Sequence, residues 1–168
     1  LVYSKSVRRT LTLSVLLLFA GGVWSEMKTI KEYFDGLDNM DSASMLYLNH
    51  RCLGLHDMFM TFNIGTEQET EIISLTKELT NMAAINWVLL NDAKSFEDED
   101  KGWEAFQENL KISVPPITNN YRIEANNNMI NNGSYIVGSE LLMGDMHHCG
   151  VMIKEYRSSG VEKFYNPE

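Results

Sequence analysis

Much of what commonly announces an activity is missing from this chain. Its 168 residues hold two cysteines and four histidines. There is no CxxC, CxxCH or HExxH, so thioredoxin-like exchange, haem attachment and zinc-protease catalysis have no motif behind them. GxSxG, the P-loop and GxGxxG are absent as well, which leaves nucleophile-elbow hydrolysis and phosphate-loop binding without support. Basic residues are scarce: 14 Lys and Arg stand against 23 Asp and Glu, a formal net charge of −9. Nucleic acids and anionic membrane surfaces are recognised by clustered Lys and Arg, so neither is an expected partner. No segment shows the strict alternation of a half-buried strand, and no internal repeat is present. Nor is there an apolar run of about 20 residues, the length a spanning helix needs.

The longest apolar run, "LTLSVLLLFAGGV", begins at Leu11 and follows the basic stretch "SKSVRR". A basic segment, a short apolar segment and small residues before "E" make the layout of a secretory signal. Val23 and Ser25 suit cleavage before Glu26, and Ala20 to Gly22 offer a second position. The expected organisation is a signal over 1–25, removed on export, and one helical domain over 26–168 with a frayed C-terminal tail. Losing Lys5, Arg8 and Arg9 takes the balance from −9 to −12. The expected location is periplasmic or secreted, with no stable membrane span once the signal has gone.

At 44% hydrophobic the chain has material for a real core, and its apolar residues recur mostly at helical spacing. A short helix is predicted over 27–37, with Ile30, Tyr33 and Phe34 on one side. A second runs from Asp41 or Ser42 to about Phe62, with Met45, Leu48, Cys52, Leu55, Phe59 and Phe62 as its apolar stripe. Gly65 stops it, and Thr66 with Glu69 forms a capping-box pattern for a third helix reaching about Asn91. There Ile72, Leu75, Leu79, Met82 and Leu89 make the stripe, widened by Ile73, Trp87 and Leu90. Helices two and three should form an antiparallel hairpin.

An acidic loop containing Glu97, Asp98, Glu99 and Asp100 precedes a short fourth helix to about Leu110, bearing Trp103 and Phe106. Pro115 and Pro116 should end it. "NNYRIEANNNMINNG" reads equally as loop or polar helix. A last helix is predicted over 134–156, its stripe Leu142, Met146, Cys149 and Ile153, with Gly138, Gly144 and Gly150 inside it for close approach of a neighbour. The fold class is all-α: a small antiparallel bundle of four or five helices, tied by one disulfide.

Both cysteines fall on predicted apolar stripes, and an exported chain with an even count meets the conditions for a bridge, Cys52–Cys149. Two free buried thiols and a reactive or metal-bound pair are the alternatives. Helical geometry, at about 100° per residue, puts His56 on the side of Cys52 and His148 on its flank beside Cys149. His50 and His147 turn toward the surface. His56 and His148, with Asp145 or a methionine, are therefore the candidate metal ligands, with copper favoured by soft Met and Cys and zinc as the other option. Met58, Met60, Met143, Met146 and Met152 could join such a site, but they lie mostly on or beside apolar stripes and read first as core filler. Asn132 opens an "NGS" glycosylation sequon.

No catalytic constellation emerges and no cofactor is implied. The expected function is an exported, non-enzymatic binding or interaction module for a small apolar ligand or a protein partner. The alternative is a periplasmic metal-handling or thiol redox protein built on Cys52, Cys149, His56 and His148.

Overall fold

Thr29 starts the first helix. Its hydroxyl accepts the Glu32 N–H at 3.1 Å while the Glu32 carboxylate accepts the Thr29 N–H at 2.8 Å, a closed capping box. The computed structural model describes residues 27–63, 65–91 and 99–160 and contains, among them, five helices and no strand. These are α1 (Ile30–Asp35), α2 (Ser42–Asn63), α3 (Glu69–Asn91), α4 (Glu99–Asn132) and α5 (Glu140–Ser159). The signal expected over 1–25, residues 92–98 of the expected acidic loop and the expected tail from 161 lie outside the described residues, as do the side chains of Glu99, Asp100 and Lys101.

Helix α2 is the axis of the bundle. Asp41 caps it by accepting the Ser44 N–H at 2.7 Å. Every residue from Leu48 to Leu55 is buried, more than two full turns, so this helix is enclosed rather than striped. Its main neighbours are α3 and α4, while α5 reaches α1, α2, α3 and α4. The hairpin of α2 and α3 is as predicted, although the cap between them is not. Thr66 donates back to the Asn63 carbonyl at 2.7 Å, and Glu69 accepts from Gly65 N–H at 2.7 Å, closing the turn around Gly65 at φ 78°. On α3 the stripe narrows to Leu79, Met82 and Ala83, with Leu75 and Trp87 partly covered. Ile73, Leu89 and Leu90 are exposed instead.

The largest departure from expectation is α4. It runs 34 residues without a break, through Pro115 and Pro116. Each proline removes a donor to the carbonyl four residues earlier, here Lys111 and Ile112. All four of these residues lie at the exposed surface, so water can satisfy the orphaned carbonyls. The inner face of the following turns then holds the helix in place, with Thr118, Tyr121, Ala125 and Asn128 buried at spacings of three and four. This resolves the Asn-rich segment as helix.

Close approach of α4 to α2 depends on Gly54. A Cβ there would lie 2.7 Å from Ile117 Cγ2 and 3.1 Å from Thr118 N. Crowding therefore falls at Gly54, and not in α5, where the nearest atom to a Cβ on Gly144 is 3.9 Å away and Gly150 faces open space. Helix α5 also begins later than predicted. Gly133 and Gly138 have φ of 72° and 100°, and Asn128 donates to the carbonyls of Ser134 and Val137 at 2.7 and 3.0 Å. Those bonds fold 133–139 into a tight connection, and Ser139 caps α5 through Leu142 N–H at 3.2 Å.

Cys52 and Cys149 stand at disulfide distance, with Cα atoms 5.6 Å apart and a sequence separation of 97. Two outcomes follow. Replacing both cysteines by alanine should lower unfolding free energy by about 3–5 kcal/mol, the range expected for releasing so long a loop, as read by urea denaturation. Gly54→Ala should destabilise by about 1–3 kcal/mol through overpacking against backbone, read in the same way.

Candidate functional site

The cysteine pair is closed off. Cys52 and Cys149 are 0% and 1% exposed, and Met152 Sδ lies 4.0 Å from Cys52 Sγ. An attacking thiolate has no approach to sulfur in such a position. The two histidines singled out beside it serve different local needs. His148 Nδ1 lies 2.8 Å from the Gly144 carbonyl, one turn back on its own helix. His56 is partly buried, and its Nδ1 has no hydrogen-bond partner. Among the described residues no three His, Cys, Asp or Glu side chains converge as a metal-holding group.

Two orientations differ from expectation. His50 is 5% exposed, not at the surface, because α2 is enclosed on that side too. Burial with no compensating charge pushes its pKa down from 6.5 to about 4. Met146, expected on the inner stripe of α5, is 41% exposed. Asp145 takes the inward position, completing the spacing Leu142, Asp145, Cys149.

That carboxylate anchors a buried charged cluster. Arg51 Nη2 and the Tyr121 hydroxyl both donate to Asp145 Oδ2, and Ile30 N–H donates to Oδ1 at 2.6 Å. Arg51 Nε donates to the Tyr121 oxygen at 3.0 Å. Arg51 is 1% exposed, Tyr121 and Asp145 0%. Burial raises the Tyr121 pKa well above 10, so its phenol keeps the proton it donates. Helices α1, α2, α4 and α5 meet at this one acceptor. The cluster was missed in the sequence, although two signals mark it: an arginine inside the apolar stretch "YLNHRCLGL" and an aspartate at an inward position of α5.

Beside the cluster, α2, α3 and α5 enclose a groove of about 510 Å³. Its walls carry Leu55, Phe59, Ile72, Leu75 and Ile153, with His56 among them and Glu71, Lys154 and Arg157 as charged side chains. One edge is tied by a bidentate pair, Arg157 Nε and Nη2 to the Glu78 oxygens at 2.8 and 2.7 Å. The groove thus combines an apolar wall with a polar margin of His56, Asn63, Gln68, Glu71, Lys154 and Arg157. Comparison with family models, curated proteins and solved structures finds no match for the chain.

Asp145→Asn should destabilise the protein by about 3–5 kcal/mol, because it leaves a buried guanidinium uncompensated. Arg51→Met combined with Asp145→Leu should restore much of that loss in chemical denaturation. The buried imidazole makes a separate prediction. The folded state resists protonation of His50 until about pH 4, while the unfolded chain takes up the proton near 6.5. Stability is therefore fully present above 6.5 and falls as pH drops toward 4, by about 3 kcal/mol in total. Below that it levels off for this group. The difference in unfolding free energy between wild type and His50→Gln, measured across this range, should trace that slope.

Proposed function

We propose that the protein is an exported, non-enzymatic binding module whose ligand is a small, largely apolar molecule held between α2, α3 and α5. The observation that carries this reading is the groove of about 510 Å³, walled by Leu55, Phe59, Ile72, Leu75 and Ile153. Its size falls inside the roughly 300–1,000 Å³ typical of small-molecule pockets. Removing a ligand's apolar surface from water against such walls supplies affinity at about 25 cal/mol per Å² before ordering costs. His56, Asn63, Gln68, Glu71, Lys154 and Arg157 provide polar contacts at its margin that orient a bound molecule. The Arg157–Glu78 pair joins α3 to α5 and keeps the walls at a fixed separation. Export rests on the basic and apolar N-terminal layout beginning at Lys5.

The test uses N-phenyl-1-naphthylamine, a neutral apolar fluorophore. It should bind saturably with one-to-one stoichiometry, and Leu75→Trp, which fills the groove, should weaken it roughly tenfold, about 1.4 kcal/mol. Unsaturable binding, or equal affinity for the filled variant, would remove this reading. N-terminal sequencing of protein recovered from its native compartment should begin at Glu26; a start at residue 1 would remove the export component.

A further inference from the structure

A second pocket, of about 310 Å³, shares no lining residue with the groove. Its walls include Lys28, Tyr33, Tyr47, Arg51 and Asn120. We propose that it is a separate binding site, and that it takes a small planar carboxylate.

The sign of the ligand follows from the lining. Among the described residues, both charged side chains that line the pocket, Lys28 and Arg51, are cationic, and no acidic residue lines it. The counter-ion of Arg51, Asp145, is not part of the wall. A cation would be repelled here despite the two aromatic rings. The donors are also specific. Arg51 Nε and Nη2 are committed to Tyr121 and Asp145, so Nη1 is the guanidinium edge that remains for a ligand. Those two bonds, and burial to 1% exposure, fix the direction of that edge before anything binds, which limits the ordering cost of association. Lys28 is exposed and acts as a mobile rim charge, and the exposed Asn120 amide supplies a neutral donor.

The shape follows from the rings. Tyr33 and Tyr47 lie with centroids 4.8 Å apart and planes tilted by 49°. The Arg51 guanidinium carbon sits 6.0 Å from the Tyr47 centroid. A flat molecule can stack on an aromatic face with its carboxylate directed at the guanidinium edge, where N–H donors match carboxylate geometry. A volume near the lower end of the pocket range restricts this to one ring or its equivalent.

The experiment titrates the full chain with benzoate and, separately, with benzylammonium, which has the same ring and the opposite charge. Amide and side-chain resonances of Lys28, Tyr47 and Asn120 report on the site by NMR. Benzoate should shift them saturably and benzylammonium should not. Lys28→Gln should weaken benzoate roughly fivefold, the size of an exposed ion pair, and Asn120→Ala by a similar factor, about that of one neutral hydrogen bond. Both positions are at the surface, so both variants should fold. Arg51 is left intact because the bundle depends on it. Equal binding of the two probes, unchanged affinity in both variants, or shifts centred on Phe59 and Ile72 in the other groove would each overturn the proposal.

Discussion

One acceptor organises this molecule. Asp145 receives hydrogen bonds from Arg51 on α2, Tyr121 on α4 and the first turn of α1, while itself belonging to α5. Taking a guanidinium and a carboxylate out of water costs several kcal/mol per ion, and their attraction returns little net stability. Its effect is on arrangement. A slip of α5 by one residue would carry Asp145 away from Arg51 and leave both charges buried without compensation. The bridge reinforces the same crossing, since Cys52 follows Arg51 directly and Cys149 lies one turn beyond Asp145. Two unlike restraints, one ionic and one covalent, thus fix a single register between α2 and α5. Helix α3, which supplies no group to the cluster, is held by apolar contacts and by the Arg157–Glu78 pair at its edge.

The groove and the pocket over Arg51 are consequences of that arrangement. With α2 enclosed, neighbouring helices cannot all lie flush against it and against each other, and clefts remain where their paths diverge. Gly54 draws α4 onto α2, which sets Ile117 and Asn120 in the wall of the pocket with Tyr47 and Arg51. Further along the same helix, Leu55 and Phe59 line the groove with Ile72 and Leu75. Packing requirements and candidate binding surfaces therefore share residues, and a change at Gly54 reaches both.

Helical periodicity made most of the architecture legible. An all-α bundle of four or five helices, the α2/α3 hairpin and the Cys52–Cys149 pairing were readable from spacings of three and four, whereas the length of α4 was not. The prolines misled because proline is costly where its neighbours are buried, whereas at 115 and 116 the affected carbonyls face water. His50 misled for a related reason. A stripe implies a helix with one wet face, and α2 has none along its middle turns, so polar residues there had to be buried. The cluster itself was hidden because no local pattern links Arg51, Tyr121 and Asp145. Each is ordinary in its own helix, and only the tertiary crossing brings them together.

The sequence distances of these restraints carry a temporal meaning. The bond from Ile30 to Asp145 spans 115 residues, the Arg51 pair 94 and the bridge 97. None can form until almost the whole described chain has left the ribosome. Helices α2 and α3 can pair early, since their connection is short, but α2 then waits with Arg51 lacking its carboxylate. Arrival of α5 is accordingly the event that locks the bundle. A chain truncated before Asp145 would hold four complete helices, with Arg51, Tyr121 and Cys52 in place, and would lack both the carboxylate and the cysteine that commit them to this arrangement.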